Sequence, residues 1–328
     1  MNAQAPVVTV TPNPSIDRTV TLATTLTRGA VHRVQSVSNE PGGKGVNVAR
    51  ALTLAGIEAV AVMPAAAGDP FLAALDQTGV PYHPVPVPGQ VRTNLAITEI
   101  DGTTTKLNEP GAPLGGAALT DLTAAVTAHA ATATWVVLSG SLPPGAPQDW
   151  YADVVARLRS QSCKVAVDTS EGPLSALAAA FDIAAPDLIK PNAEELAGLA
   201  GVSAESLENA VAQGDPGPVV AAALDLVGRG VGSVLATLGA AGAVLVDGNG
   251  AWLATPPPIV PKSTVGAGDS SLAGYVRADL AGAEAPRRLQ MAVAYGSAAA
   301  ALPGSALPVP AQIDLDAVRV VSIAPNLL

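Results

Sequence analysis

The stretch Ser263–Ser270, Ser-Thr-Val-Gly-Ala-Gly-Asp-Ser, combines residue types that could transfer an anionic group. Gly266 and Gly268 sit one residue apart, directly before Asp269. Leu272, Ala273, Val276 and Leu280 then recur at helical spacing, which predicts a helix starting near Gly268. A helix start presents N–H groups without intrahelical acceptors and a partial positive charge, and glycines let an anion approach the backbone. Asp269, in the first turn, could take a proton from a hydroxyl poised over that anion hole. The same residues also fit a plain glycine turn with an aspartate favoured by the helix dipole.

A second glycine-rich loop, Pro41-Gly42-Gly43-Lys44-Gly45, precedes a helix predicted from Val46 to about Ala55, with Gly56 as its stop. It is neither a dinucleotide fingerprint, lacking the third glycine, nor a Walker A loop, since Gly45 follows Lys44 where Ser or Thr is required. Flexible backbone, one cation and the nearby Asn47 would suit contacts to a sugar or a phosphate. A surface turn with a solvated lysine is the alternative.

The elements that must position these loops follow from patterning. Val7–Thr11 reads as a buried first strand closed by Pro12-Asn13-Pro14. The stretch from Ser15 to about Ser38 alternates weakly and reads as strands, Glu58–Met63 as a strand, Phe71–Gln77 as a short helix, and Pro81–Pro88 as extended. Arg92–Lys106 reads as a hairpin turning at Asp101-Gly102. From Leu119 onward β and α alternate: helices at 119–131, 150–159, 218–229, about 269–280 and 287–300, with strands at 135–138, 164–167, 187–189, 234–237 and 243–246. Such alternation predicts a mostly parallel sheet covered on both faces, with ligands outside the carboxyl ends of its strands. Polar clusters at 139–145, 168–170, 190–195, 237–242 and 263–270 fall in those loops.

Composition narrows the chemistry. With 49% hydrophobic, 13% charged and only 3% aromatic residues, the core must be built from Ala, Val, Leu and Ile, as suits helices on a parallel sheet. The balance of 17 basic against 27 acidic residues, −10, suggests no nucleic-acid or anionic-membrane surface, so an anionic substrate would need local cations. Cys163 is the single cysteine, which excludes an internal disulfide and a cysteine metal site; no spacing among His32, His83 and His129 supports a zinc site or a triad. Met1–Pro6 lacks the basic and apolar regions of a leader, and the apolar run Val231–Val246 is interrupted by glycines, so a soluble cytoplasmic protein is expected.

Taken together, Gly42-Gly43-Lys44-Gly45, Asn192-Ala193-Glu194-Glu195 and Thr264-Val265-Gly266-Ala267-Gly268-Asp269 resemble, in order, the signatures of the PfkB, or ribokinase-like, carbohydrate kinases. The likeness runs from about Val7 to Ala300. Thr11–Asp17, Thr105–Gly111, Leu138–Gly145 and Asp168-Thr169-Ser170 resemble the branch of 1-phosphofructokinases and tagatose-6-phosphate kinases.

The resemblance implies an α/β, ribokinase-like three-layer sandwich: one domain over 1–328, with a mostly parallel central sheet and a small β-sheet lid inserted at about 13–38 and 92–107. It implies ATP- and Mg²⁺-dependent phosphorylation of a ketohexose phosphate, fructose 1-phosphate first among them, with tagatose 6-phosphate or fructose 6-phosphate as alternatives. Asp269 would be the base, and the N–H groups of Gly266, Ala267 and Gly268 the anion hole. Asp17 and Asn47 would bond sugar hydroxyls, Gly42 and Gly43 would allow close approach, and Lys44 and Arg92 would meet the acceptor phosphate. Arg92 could instead be a solvated strand end, and Ser141 could touch the acceptor or cap its turn. Asn192 and Glu195 would hold Mg²⁺ through water, Lys190 would lie near the ATP phosphates, and Thr237, Gly239, Gly242 and Ser297 would line the nucleotide site. A homodimer through the lid is expected. The intact Asp269, Asn192 and Glu195 speak against a non-catalytic sugar-phosphate sensor, and the missing dinucleotide fingerprint against a nicotinamide-dependent oxidoreductase.

Overall fold

The computed structural model describes residues 6–323, so the absent-leader reading of residues 1–5 lies outside it. In chain order, β1 (Val7–Val10) is followed by β2 (Ser15–Leu22), β3 (Val34–Gly42), α1 (Lys44–Leu54), β4 (Ala59–Ala65), α2 (Pro70–Asp76), β5 (Tyr82–Pro86), β6 (Arg92–Thr98) and β7 (Thr104–Asn108). Next come α3 (Gly116–Ala130), β8 (Trp135–Ser139), α4 (Trp150–Leu158), β9 (Lys164–Asp168), α5 (Glu171–Ala179), α6 (Phe181–Ala184), β10 (Leu188–Ile189) and α7 (Ala193–Ala200). The chain continues with α8 (Ala204–Ala212), α9 (Gly217–Gly228), β11 (Ser233–Thr237), β12 (Ala243–Asp247), β13 (Gly250–Thr255), α10 (Ala267–Leu280), α11 (Ala285–Ala300) and β14 (Arg319–Ile323).

Ten strands form one sheet in the order β14-β13-β12-β11-β10-β9-β8-β1-β4-β5. It is parallel from β5 to β11 and antiparallel beyond. Period-two alternation splits its side chains between two cores. Trp135 and Val137 of β8 join α1, α10 and α11 on one face, while Val136 and Leu138 join α3, α4 and α9 on the other. Helices on both faces explain why such strands read as unbroken apolar runs. The other four strands form a separate sheet, β3-β2-β6-β7.

Several boundaries differ from the patterning for local reasons. Gly42 still belongs to β3 and Lys44 already opens α1, so the glycine-rich loop shrinks to the single residue Gly43. Its φ of 107° turns strand into helix in one step, in a region that side-chain-bearing residues avoid. The proline-rich stretch before Arg92 contains β5, an edge strand, where Pro84 and Pro86 are tolerated. Helix α10 starts at Ala267, one residue before the predicted start, and α11 at Ala285. Helices α5, α6 and α8 and strands β13 and β14 are additional to the elements expected from patterning.

Candidate active site

The strands of the parallel sheet end where the polar loops begin, and helix α10 points its N-terminus at that edge. Gly266 caps it in the left-handed region at φ 76°, and the Ser270 N–H donates to Gly266 O at 2.8 Å. The N–H groups of the turn before Ser270 have no intrahelical acceptor. A Cβ on Gly268 would come 3.2 Å from Lys190 Nζ, so a buried ammonium sits directly beside this backbone.

Asp269 is buried, and its Oδ2 accepts a 2.9 Å hydrogen bond from Asn47 Nδ2 on α1. Next to it, Asp168 closes β9 between two cations. Lys44 Nζ lies 3.0 Å from its Oδ1, and Lys190 Nζ lies 3.3 Å from its Oδ2 without hydrogen-bond geometry. The electrostatics follow from this crowding. Burial raises the Asp269 carboxyl to about 6, helped by the neighbouring Asp168 charge and opposed by Lys44, Asn47 and Lys190. Asp168 is buried as well, but Lys190 and Lys44 together outweigh burial and hold it below the usual carboxylate range. Lys44 is raised above an ordinary lysine, chiefly by Asp168.

The loops around Asp168 are tied to one another. The Gly140 N–H donates to Asp168 O at 2.9 Å. Gly140 O accepts from the buried Tyr151 hydroxyl at 2.8 Å and from Thr169 Oγ1 at 2.9 Å. Ser141 is exposed, and its Oγ accepts a long 3.4 Å hydrogen bond from Asn13, whose amide also donates to Pro110 O at 3.1 Å.

Asp17 and Arg92 belong to the small sheet. Asp17 Oδ1 accepts from Ser15 Oγ at 2.8 Å and Asn94 Nδ2 at 3.1 Å. A side chain at Gly42 would collide with the Asp17 carboxylate, and one at Gly43 would come 2.6 Å from Thr11. These two glycines therefore let α1 start against β2. Arg92 is half-buried; its Nη1 donates to Glu109 O at 2.9 Å and its Nε is buried without a partner. A cleft of 660 Å³ runs from Asp17 and Asn94 to Lys262, Thr264 and Val265, just before α10.

On the far side of Lys190, Asn192 caps α7. Its Oδ1 accepts from the Glu195 N–H at 2.8 Å, and Glu195 Oε2 accepts from the Asn192 N–H at 2.8 Å. The N-x-x-E pattern is therefore a capping box. It leaves one Glu195 carboxylate oxygen and the Asn192 NH₂ group outside the box. Among the described residues no group of three or more His, Cys, Asp or Glu side chains could hold a metal ion. Asn192 pairs with Thr237, the end of β11, and both line a 450 Å³ pocket with Gly239. Gly242 does not line it; a side chain there would strike Ala254 O, so it serves the turn after Gly239–Ala241. Ser297, half-buried on α11, is not among that pocket's lining residues.

The structure thus brings Lys44, Asn47, Lys190, Gly268 and Asp269 together. Sequence reasoning assigned no role to Asp168, the centre of the charge cluster, or to Asn94. The available signal for Asp168 was a charge ending an otherwise apolar strand at the ligand-facing edge.

A family model described as pfkB family carbohydrate kinase matches residues 10–312. The chain is 38% identical over 281 residues to a 1-phosphofructokinase of Xanthomonas campestris pv. campestris, covering 85% of each chain. It is 37% identical over 311 residues to a 1-phosphofructokinase of Rhodobacter capsulatus, covering 94% of each. Among solved structures, phosphofructokinase-2 from Escherichia coli in complex with substrates and products superposes with a TM-score of 0.85 at 31% identity, over 94% of this chain and 97% of that one.

Proposed function

The chain belongs to the pfkB family of carbohydrate kinases, and on that premise we propose that it moves the terminal phosphoryl group of ATP onto fructose 1-phosphate, giving fructose 1,6-bisphosphate. The observation that carries the reading is Asp269: a buried carboxylate with a pKa of about 6, one hydrogen bond from Asn47, and a helix N-terminus with an adjacent ammonium beside it. A base of that strength is ionised at neutral pH and still basic enough to take a proton from a hydroxyl in the transition state.

The acceptor hydroxyl gives its proton to Asp269 as its oxygen bonds to the terminal phosphorus, and the bond from that phosphorus to ADP breaks. The N–H groups of Gly266, Ala267 and Gly268 stabilise the phosphoryl oxygens, and Lys190 offsets their charge. Asp17 and Asn47 orient the sugar. Arg92, whose buried Nε has no protein partner, grips the acceptor phosphate. Lys44, paired with Asp168 at 3.0 Å, contributes positive potential from that pairing. Thr237 and Gly239 receive the nucleotide.

Oxygen donors with few protein ligands suit a hard cation that keeps its waters. The outward Glu195 oxygen would hold Mg²⁺ by accepting a hydrogen bond from one of its bound waters, with the remaining lone pair of Asn192 Oδ1 able to accept from another. Bound there, the ion would neutralise phosphate charge. The small sheet closes as a lid that excludes water from the cleft. Its far face carries Val20, Val37 and Ile97 in one cross-strand row and Leu95 and Leu107 in the next, which favours pairing with a second copy.

The test is ADP release with Mg²⁺ and ATP across fructose 1-phosphate, fructose 6-phosphate, tagatose 6-phosphate, fructose, ribose and adenosine. Preference for fructose 1-phosphate is expected. Preference for fructose 6-phosphate would change the acceptor while leaving the kinase chemistry in place. Activity only on unphosphorylated acceptors would remove Arg92 as a phosphate clamp, and binding without turnover would indicate a sensor.

A further inference from the structure

Two asparagine–aspartate pairs face the site, and only one was visible in the motifs. In the first, Asn47 donates its amide to Asp269 and keeps a buried Oδ1 without a partner. In the second, Asn94 donates to Asp17 Oδ1 at 3.1 Å and likewise keeps a buried Oδ1 without a partner. The amide orientation is dictated by chemistry: an ionised carboxylate only accepts, so the end of Asn94 facing Asp17 must be NH₂ and the far end must be the oxygen. A buried acceptor left unpaired costs free energy, and native structures rarely keep one without cause.

The register of the small sheet shows which face Asn94 lies on. Asp17 pairs with Asn94 across β2 and β6, and Asn94 with Asn108 across β6 and β7. Directly paired residues share a face, and all three line the 660 Å³ cleft that reaches Thr264 and Val265. The other cleft-lining rows of this face carry Thr19, Ala96 and Lys106, then Thr21, Thr98 and Thr104. Of the asparagines in the row, Asn94 has one end anchored by a carboxylate and the other free. Asp17 Oδ1 already takes two donors, from Ser15 and Asn94.

We infer that Asn94 is a further acceptor-binding residue, whose Oδ1 accepts a hydrogen bond from one ring hydroxyl of the sugar, beside the hydroxyl read by Asp17. This rests on the kinase reading above and sharpens it: the stereochemistry of the ketohexose is read on the small sheet as well as on α1. An epimer with that hydroxyl inverted leaves the Asn94 oxygen buried and unpaired when the lid closes.

The test compares the full-length wild type with Asn94→Val and Asn94→Thr, both strand-favouring replacements, the second matching the four threonines of this face. The probes are fructose 1-phosphate and its 3-deoxy and 4-deoxy analogues. The expected result is a rise in KM for fructose 1-phosphate of about 3- to 10-fold in both variants, the worth of one hydrogen bond, with KM for ATP within about twofold. For one deoxy analogue, wild type and variants should have the same KM, because the partner of Asn94 is gone from the ligand. Equal rises for sugar and ATP, or a deoxy penalty as large in the variants as in the wild type, would overturn the inference while leaving the kinase reading standing. A wild type that turns over no ketohexose phosphate would overturn both.

Discussion

Helix α10 carries a buried aspartate near each end, and the two are treated in opposite ways. Asp279, near the C-terminus, accepts from Trp135 Nε1 at 2.8 Å and from Lys164 Nζ at 2.8 and 3.0 Å, and Arg288 Nε lies 3.2 Å away. Trp135 and Lys164 are the first residues of β8 and β9, so this carboxylate ties the helix to the edge of the sheet away from the ligand loops. Asp269, ten residues earlier, has one donor, Asn47, and its neighbouring lysines are spent on Asp168. An acid saturated with cations holds structure. An acid left under-partnered in a buried place keeps a proton affinity near neutrality and can do chemistry.

Asp269→Asn should lower kcat by ~10²–10⁴-fold, the usual range for removing a general base; near-normal turnover would remove Asp269 from the mechanism. The same substitution should not cost stability. The native carboxyl keeps its proton to about pH 6, whereas an unfolded aspartate loses it near 4, so stability falls as pH rises through that window. Removing the charge should raise stability at neutral pH by on the order of 3 kcal/mol, which denaturant melts of both proteins would measure.

Asp279→Ala should do the reverse. It should cost about 3 kcal/mol, the low end for a broken buried ion pair, because the half-exposed Lys164 can turn to water. Turnover per folded molecule should stay within about twofold, and a large kcat loss at unchanged stability would make Asp279 the wrong contrast. Wild-type kcat should rise with pH through about 6 and then level. In Asp168→Asn that acid limb should move to lower pH, because a neighbouring negative charge is gone; an unmoved limb would place the titrating group elsewhere. The smallest effect is expected for Lys164→Met, below ~1 kcal/mol, since the lysine is half-exposed and Asp279 keeps Trp135 and Arg288.

Much of the site was legible because its parts are local. Gly266, Gly268 and Asp269 are a turn and the first turn of a helix, a spacing that fits an anion hole with an acid beside it as well as a plain glycine turn. The N-x-x-E pattern was legible as a motif, but its hydrogen bonds make a capping box, which spacing cannot separate from metal holding. Asp168 looked like one polar residue among several at a strand end. It becomes the hub of the site because Lys44, 124 positions earlier, and Lys190 both reach it. Asn94 looked like an ordinary polar position in a hairpin. Its unpaired oxygen exists only because β6 lies beside β2 in register with Asp17.

The sequence by itself determined the class of fold, the alternation of elements, an apolar core poor in aromatics, and the polar loops at the carboxyl ends of the strands. Each follows from residues within one or two turns of each other, where periodicity and backbone sterics decide. Only the tertiary structure decided which charges neutralise which, how acidic Asp269 is, and which face of the small sheet meets the cleft. Those depend on burial and on contacts such as Asn47 with Asp269, 222 positions apart, which the order of strands in the sheet brings together.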